Sequence, residues 1–291
     1  MNTVSDAKLA VAVRRSGGYP SFVGFDGKAS IMSLVGFDLS NVIKEITEYR
    51  TEFNDSDFIM GVSSAMVAKS PQALAKILDI KPAYLELYDV QHINEPSFIS
   101  AVETLHRNGT RVLLKLLSSA FAVKLFQESP DVFSAVDGFI IKGPKSAGRV
   151  SLNEADLIEE IKSIRNLSST TIIVAQGGIH DSAGIIECIT AGATIVSLGT
   201  IFAVSAESSV SLETKNKMIE SSYNDTVKIG QANQNGLMFT KTAVDIENNT
   251  IGLRSGVSTG KQGHVFAGGA LDFITDIKPV DEIMQNLVKG L

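Results

Sequence analysis

VAQGGIHDSAGIIECITAGATIVSLGTIF, residues 174–202, contains the same local pattern twice. An apolar, β-branched run ending at Gln176 stops at Gly177 and Gly178. One unit later TIVSLG, residues 194–199, stops at Gly199 and Thr200. Between the two, Asp181 is placed to cap a helix that starts at Ser182. A strand, a glycine turn, a helix and a second strand make a βα repeat with parallel strands. Glycines at such turns let backbone N–H groups approach a ligand closely, and the N-terminus of the following helix adds partial positive charge. The pair therefore reads as a phosphate cradle, and the competing reading is two tight turns.

Working outward from this block, the rhythm extends back to residue 20. Strand candidates are SFVGF (21–25), DFIMGV (57–62), AYLELY (83–88), RVLLKL (111–116), DGFIIK (137–142), TIIVAQ (171–176) and TIVSLG (194–199). Leu39, Val42, Ile43, Ile46 and Tyr49 fall at helical spacing, as do Leu157, Ile158, Ile161 and Ile164. Strand starts roughly 23 to 36 residues apart suit a TIM-type (β/α)8-like parallel barrel, an α/β fold, better than its competitor, a doubly wound open sheet. Seven strands are legible where eight close a barrel, and the chain begins with a helix, Asp6 to Arg15, so the first strand is expected to be lacking. Either the authentic start lies upstream, or a partner or a rearranged segment such as Ala29 to Val35 fills the gap. Residues 1–206 read as the barrel core. Residues 207–265 read as a lid or insertion, because a helix candidate at Glu213 to Ser222 leads into Tyr223 to Val265, rich in Asn and Gly and without clean period. Residues 266–291 read as a C-terminal segment packing on the barrel, with a helix opened by Pro279.

Composition narrows the function classes. The 291 residues carry 26 Lys+Arg against 32 Asp+Glu, a net charge of −6, which is no nucleic-acid footprint. Hydrophobic residues make up 44% and charged residues 20%, so the chain is globular rather than disordered. The single cysteine, Cys188, cannot form an internal disulfide, and no apolar stretch approaches the ~20 residues that span a bilayer. MNTVSDAKLAVAVRRSGG does not read as a signal peptide, so a cytoplasmic location is expected, with no membrane or nucleic-acid partner.

At the glycine turns a family resemblance enters. The chain resembles the nitronate monooxygenase (2-nitropropane dioxygenase) group of FMN-dependent barrels, which also includes flavin enoyl reductases. VSDAKLAVAVRRSGGYPSFVG resembles that family's opening helix and second strand, DGFIIKGPKSAG its Gly-rich loop, residues 174–202 its phosphate motif and VFAGGALDFITDIKPVDEIM its C-terminal segment. The resemblance implies FMN over the strand ends. Its phosphate would lie at Gly177, Gly178, Gly199 and Thr200, with Ser63, Lys142, Gly148, Gln176 and Leu198 alongside. The chain also departs from the family pattern. Met1 falls on the Met of the family's first-strand Gly-Gly-Met, Ser63 replaces Asn, Lys142 replaces an acidic or amide residue, Ala147 replaces a loop glycine and Arg149 stands at the catalytic His. Arginine, with a pKa above ~12, is no general base near neutral pH.

Arg149 can still bind an anion or steady negative charge, since a guanidinium is a permanent fork of donors. Lys115, Lys142, Lys145 and Arg149 all lie at or beyond strand ends and could form a cationic mouth. In the plainer reading, Lys115 and Lys142 satisfy Glu86 or Asp89, and Lys145 is a solvated loop charge. Of four histidines, His180 and His92 lie on loops at the expected active face, His106 on a helix and His264 in the C-terminal segment. A base would come from His180 or His92. Cys188 reads as core, and Ser118 and Ser119 have no His/Asp constellation. These residues support an FMN-dependent oxidoreductase, a monooxygenase-like flavoprotein acting on a small or acyl-type, anionic substrate, with Arg149, Lys142 and His180 at the ring. The alternatives are a non-redox homologue serving as partner subunit or ligand-binding scaffold, and a Schiff-base lyase using Lys142 or Lys115. A homodimer is expected.

Overall fold

The computed structural model describes residues 6–23, 39–148, 150–151, 155–229, 235–240 and 266–291. Ala29 to Val35, Arg149 and His264 lie outside these described residues, as does the stretch from 241 to 265.

Every expected strand forms, within a residue or two at each end where both ends are described. They are β1 (Ser21–Val23), β2 (Ile59–Val62), β3 (Tyr84–Leu87), β4 (Arg111–Leu116), β5 (Gly138–Lys142), β7 (Ile172–Gln176) and β8 (Ile195–Ser197). These pair in parallel in the order β1-β2-β3-β4-β5-β7-β8. The sheet curls into a TIM-type (β/α) barrel that lacks a strand, and among the described residues β1 and β8 have one sheet neighbour each. Between the strands run α1 (Ala7–Arg15), α2 (Ser40–Tyr49), α3 (Ser64–Ala68), α4 (Pro71–Ile80), α5 (Pro96–Arg107), α6 (Ser119–Glu128), α7 (Pro130–Ala135), α8 (Leu157–Leu167) and α9 (Ser182–Thr190). After β8 come α10 (Thr200–Ala203), α11 (Leu212–Ile219) and α12 (Val280–Val288).

The helices start where the sequence provides caps. Asp6 accepts from Leu9 N at 2.9 Å, and the side chains of Ser70, Ser118, Asp156, Asp181 and Ser211 cap α4, α6, α8, α9 and α11 in the same way.

Alternation along the strands divides the sheet into two faces. Phe22, Met60, Leu85, Val112, Leu114, Phe139, Ile141, Ile173 and Ala175 are buried outward against the helices, in one cluster with Val42, Ile46, Ile77, Phe98 and Ile161. Each large apolar side chain fully buried in this layer is worth about 1.5–3 kcal/mol. Inward, Leu113, Ile140 and Val174 fill the lumen with Tyr84, Ile172 and Ile195. A second cluster joins Leu9 of α1 to Phe202, Met218, Leu271, Val280, Ile283 and Leu287, so the C-terminal segment packs beside the β8 end of the sheet.

The stretch expected to lack a period is partly ordered as strands. β9 (Thr226–Ile229) and β10 (Asn235–Thr240) pair antiparallel, and β10 also pairs with a short β6 (Val150–Ser151). Each strand is too short, and too close to Asn and Gly, to declare itself along the sequence.

Two consequences are measurable. A Cβ at Gly138 would lie 2.0 Å from the Ile172 carbonyl oxygen, a backbone atom of the neighbouring strand. Gly138→Ala is therefore expected to destabilise the fold by about 3 kcal/mol or more, or to abolish soluble expression, as read by urea denaturation. Cys188 is buried in α9, and burial pushes its thiol up to about 11, with Glu187 and Asp156 adding to the rise. The thiolate is the reactive form, so the native protein should resist a thiol reagent at mildly alkaline pH and release one thiol on unfolding.

Candidate functional site

In five adjacent strands the last lumen-facing residue, near the C-terminal end, is polar and follows an apolar or aromatic lumen residue by two positions. Tyr84 is followed by Glu86, Leu113 by Lys115, Ile140 by Lys142, Val174 by Gln176 and Ile195 by Ser197. Period-two geometry puts all five on the lumen face, so the upper lumen carries one polar layer drawn from five adjacent strands. Within it, Lys115 Nζ donates to the buried Glu86 carboxylate at 2.6 Å, one of the two pairings the sequence offered for that lysine. Lys142 pairs differently from expectation. Its buried ammonium donates to the Ala147 carbonyl at 2.7 Å and so fastens the loop that follows its own strand.

A cavity of about 50 Å³ adjoins the β7 and β8 end of this layer. Gln176, Gly177, Gly178, Leu198, Gly199 and Thr200 line it, together with Lys145, Ala147, Ile179, Ser197 and Ala270. Both glycines after β7 have left-handed backbones, φ 128° at Gly177 and 76° at Gly178. A Cβ at Gly177 would lie 2.2 Å from Ser146 Oγ, so conformation and space both demand glycine there. Thr200 Oγ1 accepts from Gly268 N at 3.0 Å, which leaves the hydroxyl proton free to be donated into the cavity. Gln176 Oε1 is buried and has no hydrogen-bond partner among the described residues. No carboxylate is among the lining residues that the structure describes.

These features fit the phosphate end of FMN. The space is on the order of one or two water molecules, the scale of a small anion, and is far below the several hundred Å³ of a whole-ligand pocket. A hydroxyl of the ligand's chain would satisfy Gln176 Oε1. The expected help from the helix after Gly178 is smaller than the sequence suggested, because Asp181 Oδ1 already accepts from Gly184 N at 2.8 Å in the first turn of α9.

The loop after β5 forms one wall of the cavity and is held on every side. Gly143 N and Ser146 Oγ both donate to the Gln176 carbonyl, at 2.8 and 2.9 Å. Tyr223 OH donates to the Pro144 carbonyl at 3.1 Å, and Gly269 N to the Lys145 carbonyl at 2.8 Å. Downstream, the loop runs into β6, where Asn235 and Gly236 of β10 face Ser151 and Val150. Lys145 is more than the solvated loop charge of the plainer reading, because it lines the cavity. Sequence reasoning missed this role, and nothing local signals it.

The remaining candidates sit further out. Ser63 has an extended backbone as the N-cap of α3, and Gly148 has φ 74° beside the Lys142 ammonium; neither lines the cavity. His180 stacks flat on Phe273, with ring centroids 3.4 Å apart and planes 6° apart. Its Nδ1 lies 3.0 Å from the Gly178 carbonyl, which assigns the proton to that nitrogen, and Nε2 lies 3.6 Å from Asp181. His92 Nδ1 lies 3.4 Å from Glu95, and Ser64 Oγ bonds both His92 N and Asp89. His106 pairs with Asp137 at 2.8 Å. Ser118 Oγ and the backbone N of Ser119 both donate to the buried Glu160. A larger groove of about 460 Å³ runs along α1 and the end of α2, on the helical shell and away from the strand ends, with no convergent chemistry.

Comparison with known proteins agrees with this geometry. The chain is 21% identical to a nitronate monooxygenase from Neurospora crassa, over 99% of this chain and 86% of that protein. Among solved structures it is similar to FabK from Thermotoga maritima, with TM-score 0.75, 22% identity and coverage of 99% of this chain and 89% of that one. It is also similar to nitroalkane oxidase from Streptomyces ansochromogenes, with TM-score 0.72, 16% identity and coverage of 99% and 92%. The family profile described as nitronate monooxygenase matches residues 90–290, well over half of the sequence, and the chain therefore belongs to the nitronate monooxygenase family of oxidoreductases.

Proposed function

We propose that the protein is an FMN-dependent oxidoreductase acting on a small or acyl-type, anionic substrate. The observation that carries this reading is the carboxylate-free cavity walled by the glycine turns after β7 and β8. When bound, FMN supplies a ring that takes up a hydride or electrons from the substrate and passes them to an acceptor. Backbone N–H groups at Gly177, Gly178 and Gly199 and the Thr200 hydroxyl hold the terminal phosphate, and Gln176 Oε1 accepts from a hydroxyl of the chain. Leu198, Ser63 and Gly148 complete the cofactor's surroundings.

At the reacting end, Lys142 and Arg149 attract and orient the substrate's negative charge. Arg149 cannot release a proton near neutral pH, so proton transfer falls to His180. Neither lysine of the Schiff-base alternative is a free amine at this cavity. Lys115 is committed to Glu86, Lys142 to Ala147, and neither lines it. The reading as a non-redox, ligand-binding scaffold draws support from one observation: among the described residues β1 and β8 have one sheet neighbour each, edges that a partner or a second copy could pair with.

The test is cofactor content and affinity. The purified protein should be yellow and release FMN on denaturation, or bind added FMN stoichiometrically; a colourless protein that cannot be reconstituted sinks the oxidoreductase reading. Within the cradle, Thr200→Val should weaken FMN binding about tenfold or more, the size expected for a lost hydrogen bond to a charged group. Thr200→Ser, which keeps the donor, should restore most of the affinity.

A further inference from the structure

We infer that Lys145 is the cationic anchor of the cavity and makes it selective for a phosphate monoester dianion; this rests on the phosphate half of the reading above. The residue as a whole is exposed, yet its stem is placed with unusual constraint. A Cβ at Gly178 would lie 3.0 Å from Lys145 Cβ and 3.5 Å from its Cδ. A Cβ at Gly269 would lie 2.9 Å from each of the same two carbons, and one at Gly268 would lie 2.5 Å from the Lys145 carbonyl oxygen. Glycines from two distant turns therefore leave a slot that only this stem occupies, and Gly269 N pins the lysine backbone from the other side. A solvated loop lysine needs no such slot.

The slot's purpose follows from the charges around it. Lys145 lines the cavity, and among the described residues its ammonium has no hydrogen-bond or ion-pair partner. By contrast Lys115 is paired with Glu86 and Lys142 is bound to Ala147. With no carboxylate in the lining, the ammonium acts on whatever anion enters. Backbone N–H groups and a threonine hydroxyl would serve a neutral oxygen ligand as well; a cation discriminates in favour of charge, and most strongly for a dianion. Lys145 is thus a specificity-determining residue of the cofactor site, and its closure depends on the C-terminal segment that carries Gly268 and Gly269.

Lys145→Met tests this, because methionine keeps an unbranched stem in the slot and removes only the charge. Affinities for FMN and for riboflavin, which lacks the phosphate, are measured on wild type and variant by quenching of flavin fluorescence over a range of salt. The expected result is an FMN affinity about tenfold or more lower in the variant, a riboflavin affinity unchanged, a weaker salt dependence for FMN and an unchanged melting temperature without ligand. An FMN to riboflavin preference equal in the two proteins overturns the inference and leaves the flavin reading intact. If wild type binds neither flavin, inorganic phosphate is titrated against the melting temperature of both proteins. Stabilisation by phosphate that Lys145→Met abolishes then upholds the anchor and rejects the flavin, whereas equal stabilisation or none rejects the anchor as well.

Discussion

Three pieces of backbone meet at the head of the barrel more closely than side chains permit. The loop after β5, the turn after β7 and the turn at Gly268 and Gly269 approach until a Cβ at Gly177, Gly268 or Gly269 would fall within 3 Å of a neighbour's atoms. Interiors packed at crystal-like density tolerate such contact only where the residue is glycine. The contact fixes both the depth of the cavity and the direction of the Lys145 stem. It also makes the C-terminal segment part of the site, because Gly268 N bonds Thr200 and Gly269 N bonds Lys145. The second core cluster, from Leu9 to Leu287, is what holds that segment in place.

The charges follow the same architecture. A chain with a net charge of −6 would repel a dianion at long range, so binding one requires a local inversion. The lumen provides it by layers. Apolar residues fill the depth, and the polar layer above holds two lysines against one carboxylate, with Glu86 cancelling Lys115. Removing either member of that buried pair would strand the other's charge, which makes the pair a structural fixture of the floor rather than a mobile reagent. Lys142 is tied to the loop it precedes, and beyond it Lys145 lines the cavity, with no hydrogen-bond or ion-pair partner among the described residues. Low dielectric inside the barrel strengthens whatever the remaining cations do.

Much of this was legible in residues read one after another. The strands, their parallel order and the Asp181 cap of α9 follow from period-two and helical spacing and from residue type. The glycine turns at 177–178 and 199 announced a cradle by their place at consecutive strand ends. What stayed hidden depends on contacts between segments far apart in the chain. No local pattern places Phe273 on His180, Gly269 on Lys145 or β10 beside β6. His180 looked like a free imidazole beside a glycine turn, and its stacking partner belongs to the C-terminal segment. Lys145 looked solvated because the two turns that clasp it are distant in sequence.

The site therefore divides into two halves with different physical duties. Contacts to a phosphate are the same before and during a reaction, so they tighten binding without lowering a barrier. The cradle, with its glycines, Thr200 and Lys145, is of this kind, and it can be retained while the chemistry changes. Rate and reaction class are set where charge develops, which in the proposed reading is the end of the site that holds Lys142. Replacing a titratable imidazole by a permanent cation at that end exchanges a group that moves protons for one that holds anions. In the proposed reading, one set of residues would keep the cofactor and another would select the substrate. Retention of the family's phosphate half and departure in its reacting half are then compatible properties of one barrel.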